Sequence, residues 1–100
     1  MKRLRVVYLR KAQQDLLEAC GYIETDSPAE AAGWLNRVDR SLGRLSRFPQ
    51  SGTMPKDGRL AAMGYRMVVI GEYLAFYLIR RNRVQIRRVL HGRRRYGFLL

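Results

Sequence analysis

The residues best suited to chemistry are cationic, and they are concentrated near the C-terminal end of the chain. Eight arginines lie within sixteen residues: Arg80, Arg81, Arg83, Arg87, Arg88, Arg93, Arg94 and Arg95. A guanidinium group is planar and binds a phosphate or a carboxylate through two parallel hydrogen bonds. The whole chain has 20 basic and 8 acidic residues, a formal net charge of +12. We therefore expect a nucleic acid, an acidic protein, or both as partners.

One histidine and one cysteine are the other candidates for chemistry. Histidine takes up or releases a proton near neutral pH, so His91 could act as a general acid or base, although a lone histidine after an apolar strand is more often structural. His91 and Cys20 are too few to form a structural zinc site. A single cysteine also forms no disulfide framework, which suits a reducing cytoplasm. We expect no metal and no cofactor.

The first half of the chain predicts one strand followed by two helices. Residues 4–9 alternate as a strand does, and residues 11–25 carry apolar side chains at helical spacing. The run Ser27-Pro28-Ala29-Glu30 is a helix start signal. We expect this second helix to run to about Arg47. Its apolar stripe comprises Ala31, Leu35, Val38, Leu42 and Leu45.

The second half predicts a loop over residues 50–63 and strands over 65–70, 73–80 and 84–91. Gly71-Glu72 fits a tight hairpin turn between the first two of these strands. We expect one domain over residues 1–100, with an α+β fold in the order β-α-α-β-β-β. In this fold the first strand joins the other three, and a two-helix hairpin packs on one face of a small antiparallel sheet.

Alternation along the last strand predicts which side chains share a face of the sheet. One face is expected to carry Val84, Ile86, Arg88 and Leu90. The other face is expected to carry Gln85, Arg87, Val89 and His91. In such a sheet, Arg66, His91 and the tail at residues 93–96 would share one concave side.

An ordered set of short motifs resembles the RelE/ParE family of bacterial toxins, each of which is one half of a type II toxin–antitoxin pair. The motifs are Ala12-x-x-Asp15-Leu16, Phe48-Pro49-x-x-Gly52, Gly64-Tyr65-Arg66, residues 73–77, and the run Arg88-Val89-Leu90-His91-Gly92-Arg93-Arg94-Arg95-Tyr96. The resemblance covers nearly the whole chain. It implies the β-α-α-β-β-β fold, in agreement with the elements above.

The resemblance implies one of two activities. ParE-like members inhibit DNA gyrase, whereas RelE-like members are metal-free ribonucleases that cut mRNA on the ribosome. The run Leu90-His91-Gly92-Arg93 resembles the ParE-like members more closely, so we predict a gyrase inhibitor. For a RelE-like nuclease, the resemblance implies a catalytic set of Arg66, Arg94 and Tyr96, to which His91 could add an acid or base.

The resemblance also implies partners and a location. We expect the target or a nucleic acid to contact Arg87, Arg88, Arg93 and Arg95. We expect a cognate antitoxin to bind over the helix hairpin at Leu35, Arg37, Val38, Leu42 and Arg44. The toxin and antitoxin are expected to form a hetero-oligomer in the cytoplasm, and we expect no membrane partner. A non-toxic basic domain that binds nucleic acid is the third alternative.

Overall fold

The computed structural model describes residues 3–94, 96 and 99–100. The elements are β1 (Arg5–Tyr8), α1 (Arg10–Asp26), α2 (Pro28–Gly43), a 3-10 turn (Arg44–Ser46), α3 (Gly58–Ala62), β2 (Arg66–Ile70), β3 (Tyr73–Arg80) and β4 (Arg83–His91). This order confirms the predicted α+β fold. Helix α3 is an addition within the segment that was predicted as a loop, where the Asp57 side chain accepts hydrogen bonds from the backbone N–H groups of Arg59 and Leu60.

The two long helices form the predicted hairpin. The Ser27 hydroxyl accepts a hydrogen bond from the backbone N–H of Glu30 at 3.2 Å, which is the predicted cap of α2. The buried stripe of α2 contains Trp34 (3% exposed) rather than the predicted Leu35 (37% exposed). The indole N–H of Trp34 donates to the carbonyl oxygen of Ile70, so this ring ties α2 to the sheet. In the described part of the chain, no helix is long and apolar enough to cross a membrane.

The four strands form one sheet in the order β1-β4-β3-β2. Strands β2, β3 and β4 form the predicted antiparallel meander. Strand β1 pairs with β4 in parallel, from Arg5 opposite Arg83 to Tyr8 opposite Ile86. The sheet is therefore mixed and not wholly antiparallel. Parallel pairing needs a long crossover connection, which the helices and the meander between β1 and β4 provide.

Both tight turns of the meander have positive φ angles at central residues, which Gly71 and Asn82 adopt readily and Arg81 does not. Gly71 has φ +61°, as the first position of a type II′ turn requires. Arg81 and Asn82 have φ +53° and +60°, which is the type I′ pattern. Ile70 pairs with Tyr73 across the first of these turns, so the turn geometry sets the register of β2 against β3.

A β-bulge interrupts the alternation of β4. Phe76 pairs with Arg88 and Tyr77 pairs with Ile86, so Arg87 is an extra residue without a partner on β3. The extra residue reverses the faces that follow it, because side chains alternate with a period of two. The predicted alternation is therefore wrong beyond Ile86. Val89 and His91 lie on the face that carries Val84 and Ile86, and Arg88 and Leu90 lie on the opposite face.

Each face of the sheet carries its own core. We call the side covered by α1 and α2 the helix face; its buried residues include Trp34, Val38, Leu42, Ala75, Tyr77, Ile86 and Val89. We call the other side the outer face; its buried residues are Leu60, Tyr65, Phe76, Leu78 and Leu90. Helix α3 and the C-terminal residues Tyr96, Leu99 and Leu100 pack against the outer core.

A buried ion pair joins α1, β4 and the C-terminal residues. The Asp15 carboxylate accepts hydrogen bonds from Arg88 Nε (2.7 Å), Arg88 Nη2 (3.0 Å) and the backbone N–H of Val89 (2.9 Å). Arg88 Nη1 donates to the carbonyl oxygen of Leu99 at 3.1 Å. The hydrogen bond with Asp15 raises the pKa of Arg88, so its charge is fixed. Both charges are thus paired although they lie in the interior.

Replacement of Asp15 by Asn tests how much this pair contributes to stability. An amide has one acceptor oxygen where the carboxylate has two, so its NH₂ group would face a donor of Arg88 or Val89. We expect Asp15→Asn to lower the free energy of unfolding by about 3 kcal/mol, because it leaves a buried guanidinium unpaired. Urea unfolding at neutral pH measures the change.

The matched control is Glu24→Gln, which removes one charge from an exposed position of the same helix. We expect it to change the free energy of unfolding by less than about 0.5 kcal/mol. Equal stability of the two variants would show that the Asp15–Arg88 pair does not hold the fold together.

Candidate functional site

Arg66 holds the loop that precedes α3. Its Nη1 donates to the backbone carbonyl oxygens of Gln50 (3.1 Å) and Gly52 (3.0 Å). Beside it, the Tyr77 hydroxyl donates to the carbonyl of Pro49 at 2.7 Å and accepts from the N–H of Gly52 at 2.9 Å. Burial raises the pKa of Tyr77, so the hydroxyl keeps its proton and remains a donor. These contacts give Arg66 a structural role.

Gly52 is required by the same loop. A Cβ atom at this position would lie 2.5 Å from the Tyr77 hydroxyl oxygen and 2.9 Å from the carbonyl oxygen of Met67. The backbone can therefore approach Tyr77 only because the residue has no side chain. The motif Phe48-Pro49-x-x-Gly52 and the motif Gly64-Tyr65-Arg66 are thus in contact, through the hydrogen bonds of Arg66 and Tyr77 to residues 49–52.

His91 lies at the end of β4 on the helix face. Its Nδ1 accepts a hydrogen bond from the backbone N–H of Arg93 at 3.2 Å, and its Nε2 lies 3.6 Å from a carboxylate oxygen of Glu72. The ring packs edge-on against Tyr73 at 5.3 Å between centroids. With Arg94, it borders a small hollow that Asp15 also lines. His91 and Arg94 are thus close together, next to the buried ion pair.

The remaining members of the predicted catalytic set do not meet there. Arg66 pairs with Tyr77 and His91 with Tyr73, which lie four residues apart on β3, or about 13 Å at strand spacing. Tyr96 lies on the outer face, with its ring centroid 4.7 Å from that of Phe76. The sheet separates Tyr96 from Arg66. Arg66 and His91 thus share one face of the sheet, as predicted, although the helices cover that face and the two residues lie at opposite ends of it. The prediction is wrong for Tyr96, which lies on the outer face.

The predicted target-binding arginines have different environments. Arg88 is 12% exposed and is engaged by Asp15, so it does not present a free guanidinium to a target. Arg87 is half-buried at the bulge, and its Nη1 lies 3.4 Å from Oε1 of Gln85. Arg93 and Arg94 are exposed. Arg95 lies outside the described residues.

The predicted antitoxin-binding residues also divide into two groups. Val38 and Leu42 are 1% and 0% exposed, because they face the chain's own sheet. They therefore pack in the core of this structure and do not form part of its surface. Leu35, Arg37 and Arg44 are exposed on the hairpin side. Arg44 borders a separate hollow beside Thr53 and β2.

An open groove of about 550 Å³ lies where the hairpin meets the β2–β3 turn. We call it the hairpin groove. It is lined by Tyr22, Ile23, Glu30, Gly33, Trp34, Arg37, Arg40, Gly71, Glu72 and Tyr73. The sequence interpretation missed its aromatic residues, although Trp34 lies three residues after Ala31 and four before Val38, the spacing of the apolar stripe. The groove combines aromatic residues with two cations, Arg37 and Arg40, and two anions, Glu30 and Glu72.

The aromatic side chains of the groove are ordered by mutual contact. The rings of Trp34 and Tyr73 lie 5.0 Å apart between centroids, and Tyr73 also contacts His91. Burial, together with Tyr22 and Glu72, raises the pKa of Tyr73, so its hydroxyl stays neutral at physiological pH. The groove can therefore offer apolar contacts and hydrogen bonds to a partner, and it presents charges of both signs. Within the described residues, no three His, Cys, Asp or Glu side chains are grouped so as to hold a metal ion.

Solved structures confirm the architecture. The chain is similar to the chromosomal ParDE toxin–antitoxin system from P. aeruginosa, with TM-score 0.72, 18% identity, and coverage of 89% of this chain and 96% of that one. It is also similar to the toxin–antitoxin complex RelBE2 from Mycobacterium tuberculosis, with TM-score 0.60, 25% identity, and coverage of 89% and 98%.

Sequence comparison gives the family. The chain is 29% identical to the protein named "Putative toxin Y4kP" of Sinorhizobium fredii, over the full length of both. A family model described as ParE toxin of the type II toxin–antitoxin system parDE matches residues 6–96. This match spans both helices, the whole sheet and the loop that Arg66 holds. The chain therefore belongs to the ParE toxin family of type II toxin–antitoxin systems.

Proposed function

We propose that this toxin arrests bacterial growth by binding and inhibiting DNA gyrase, and that a cognate antitoxin neutralises it. The observation that carries the choice of target is the separation of Arg66, His91 and Tyr96 over both faces and both ends of the sheet. Gyrase works in the cytoplasm, so a gyrase inhibitor would act in the location expected for this toxin. The match to the ParE toxin family supports the same target.

The chemistry of RNA cleavage explains why the separation matters. Without a metal, cleavage needs a base for the ribose 2′-OH, a cation beside the phosphate and an acid for the leaving oxygen, all within hydrogen-bond reach of one phosphate. Arg66 is engaged with two carbonyls, and Tyr96 is on the other side of the sheet. This arrangement favours a toxin that acts by binding, with Arg93 and Arg94 as exposed contacts for its target.

RelE-like cleavage of mRNA on the ribosome is the second candidate. The 25% identity with the RelBE2 complex favours it. His91 and Arg94 are the two members of the predicted catalytic set that lie together, so a nuclease would have to be built around them. That candidate requires a proton donor other than Tyr96.

The hairpin groove is the proposed antitoxin site. Both similar structures are described as toxin–antitoxin systems or complexes, which supports an antitoxin as partner. Tyr22, which is 70% exposed, lines the groove above the buried ring of Trp34, and Leu35 is exposed on the same helix as Trp34. Tyr22 and Leu35 thus offer apolar surface to a helix or an extended segment. Arg37 and Arg40 would attract acidic side chains of the antitoxin.

Two assays on one preparation test the target. We expect the purified toxin to inhibit supercoiling by purified gyrase and to leave mRNA intact during translation in vitro, as judged by primer extension. The reason is that Arg66, His91 and Tyr96 of the predicted catalytic set do not converge on one point. Premixing with the cognate antitoxin should restore supercoiling and serves as the control.

The opposite pattern of results would contradict this proposal. Codon-phased cuts in the translated message, together with unaffected supercoiling, would identify the RelE-like candidate as correct.

The charge at the hairpin groove can be tested through the rate of antitoxin binding. We expect Arg37→Gln to slow association several-fold at low salt and much less at high salt, because charges at an interface rim act mainly on the association rate. Lys56→Gln removes one charge from an exposed loop position and is the control. Stopped-flow kinetics measure both. Equal slowing of the two variants would show that net charge alone steers the antitoxin and that the groove has no special part in it.

A further inference from the structure

Three arginines form a row across the outer face, at the end of the sheet near the β3–β4 turn. Arg5 on β1 pairs with Arg83 on β4, and Arg83 pairs with Arg80 on β3. Paired residues point to the same face, and Arg80 lies two residues beyond Leu78 of the outer core. With neighbouring strands about 4.8 Å apart, the row is about 10 Å wide. We call these three residues the arginine row.

More arginines surround the row. Arg81 lies in the β3–β4 turn, and Arg3 precedes β1. The backbone N–H of Leu4 donates to the carbonyl of Ser46 at 2.9 Å, which brings Arg47 next to the start of β1. All six arginines are exposed. The segments that carry them, residues 1–14, 40–56 and 73–100, contain no Asp or Glu. The positive charge at this end is therefore not balanced by the segments that form it.

The arginine row destabilises the fold by charge repulsion, and its side chains add no buried contacts. Like charges directly opposite each other on neighbouring strands are destabilising. Arginine stays protonated at any physiological pH, so the repulsion is permanent. None of the three residues of the row is buried, so their side chains do not fill a core. A polyanion bound to the row would relieve the repulsion, which is the physical reason to look for one.

The geometry points to duplex DNA: we propose that the arginine row binds its phosphate backbone. Phosphates of one strand rise by about 3.4 Å each along the duplex axis and are farther apart along the helical backbone. A row about 10 Å wide, with long and flexible arginine side chains, can therefore reach up to three of them. Single-stranded nucleic acid is favoured by aromatic side chains on which bases stack. The strands and turn that carry the row have none at residues 3–5 and 79–83, and Phe48, next to Arg47, is the one exposed aromatic residue in the adjoining segment 40–56. The choice of DNA over RNA rests on the proposed function, since gyrase acts on duplex DNA.

The row is distinct from the other sites of the protein. It is on the outer face, whereas the hairpin groove is on the helix face, so a toxin bound to DNA through the row could still be reached by its antitoxin. It is also at the opposite end of β4 from His91 and Arg93. The row would therefore hold the toxin on the DNA that gyrase engages and leave the contacts to gyrase free.

Fluorescence anisotropy with a short labelled DNA duplex, without gyrase, tests the proposal. The test variant combines Arg5→Gln, Arg80→Gln and Arg83→Gln. Between about 50 and 200 mM salt, we expect its plot of log affinity against log salt to be shallower than that of the wild type by about 2.7, the loss of three phosphate contacts. At the low-salt end, its affinity should be lower by an order of magnitude or more.

The control combines Arg37→Gln, Arg40→Gln and Arg44→Gln, which removes the same charge from the hairpin side. We expect it to keep most of the affinity and a slope close to the wild type. The row variant should unfold at the same or a higher temperature than the wild type, because it has lost a repulsion. A third variant that combines Arg5→Lys, Arg80→Lys and Arg83→Lys keeps the charge and should keep the slope.

Three results would overturn the proposal: no binding by the wild type at low salt, equal weakening of the row variant and the control, or tighter binding to a duplex RNA of the same sequence. A separate supercoiling assay distinguishes this failure from failure of the proposed function. If the wild type inhibits gyrase but does not bind DNA, the proposed function stands and the proposal that the arginine row binds DNA fails.

Discussion

The Asp15 carboxylate accepts a backbone hydrogen bond at the edge of the sheet that a neighbouring strand would otherwise accept. Strand β1 ends at Tyr8, opposite Ile86, so the rest of β4 has α1 as its neighbour. The Asp15 carboxylate accepts the N–H of Val89, which a neighbouring carbonyl would otherwise accept, and it holds Arg88 at the same time. Arg88 in turn holds the carbonyl of Leu99 on the outer face. One carboxylate thus joins α1, β4 and the C-terminal residues.

The bulge at Arg87 lies where β4 changes neighbours, and the positions of the candidate residues depend on it. After the bulge, Leu90 enters the outer core and His91 turns towards the helices. A regular β4 would have placed His91 on the outer face, with Tyr96. The bulge therefore separates His91 from Tyr96 and places it on the face of Arg66, at the opposite end of the sheet. The arginine row precedes the bulge, so its position on the outer face does not depend on it.

The sequence was sufficient for most of the fold because the relevant signals are local. Ser27-Pro28 starts α2, Gly71 sets the turn after β2, and the alternation of β3 is uninterrupted. The parallel pairing of β1, the bulge at Arg87 and the role of Trp34 depend on contacts between residues far apart in the chain, which no local pattern contains. For the same reason, the sequence pattern does not show on which face of the sheet His91 lies, because that depends on the register of β4 against β3.

The central claim is that this toxin acts by binding a target and not by transferring protons to RNA. Growth arrest by a double variant, Tyr96→Phe with His91→Asn, tests it most directly, because neither new side chain can transfer a proton. Phe keeps the ring that packs against Phe76, and Asn keeps an acceptor for the backbone N–H of Arg93. Wild type and variant are expressed to equal levels without antitoxin, and their thermal unfolding is compared as a control. The account predicts the same growth arrest from both. Loss of arrest by a variant that is as stable as the wild type would contradict it.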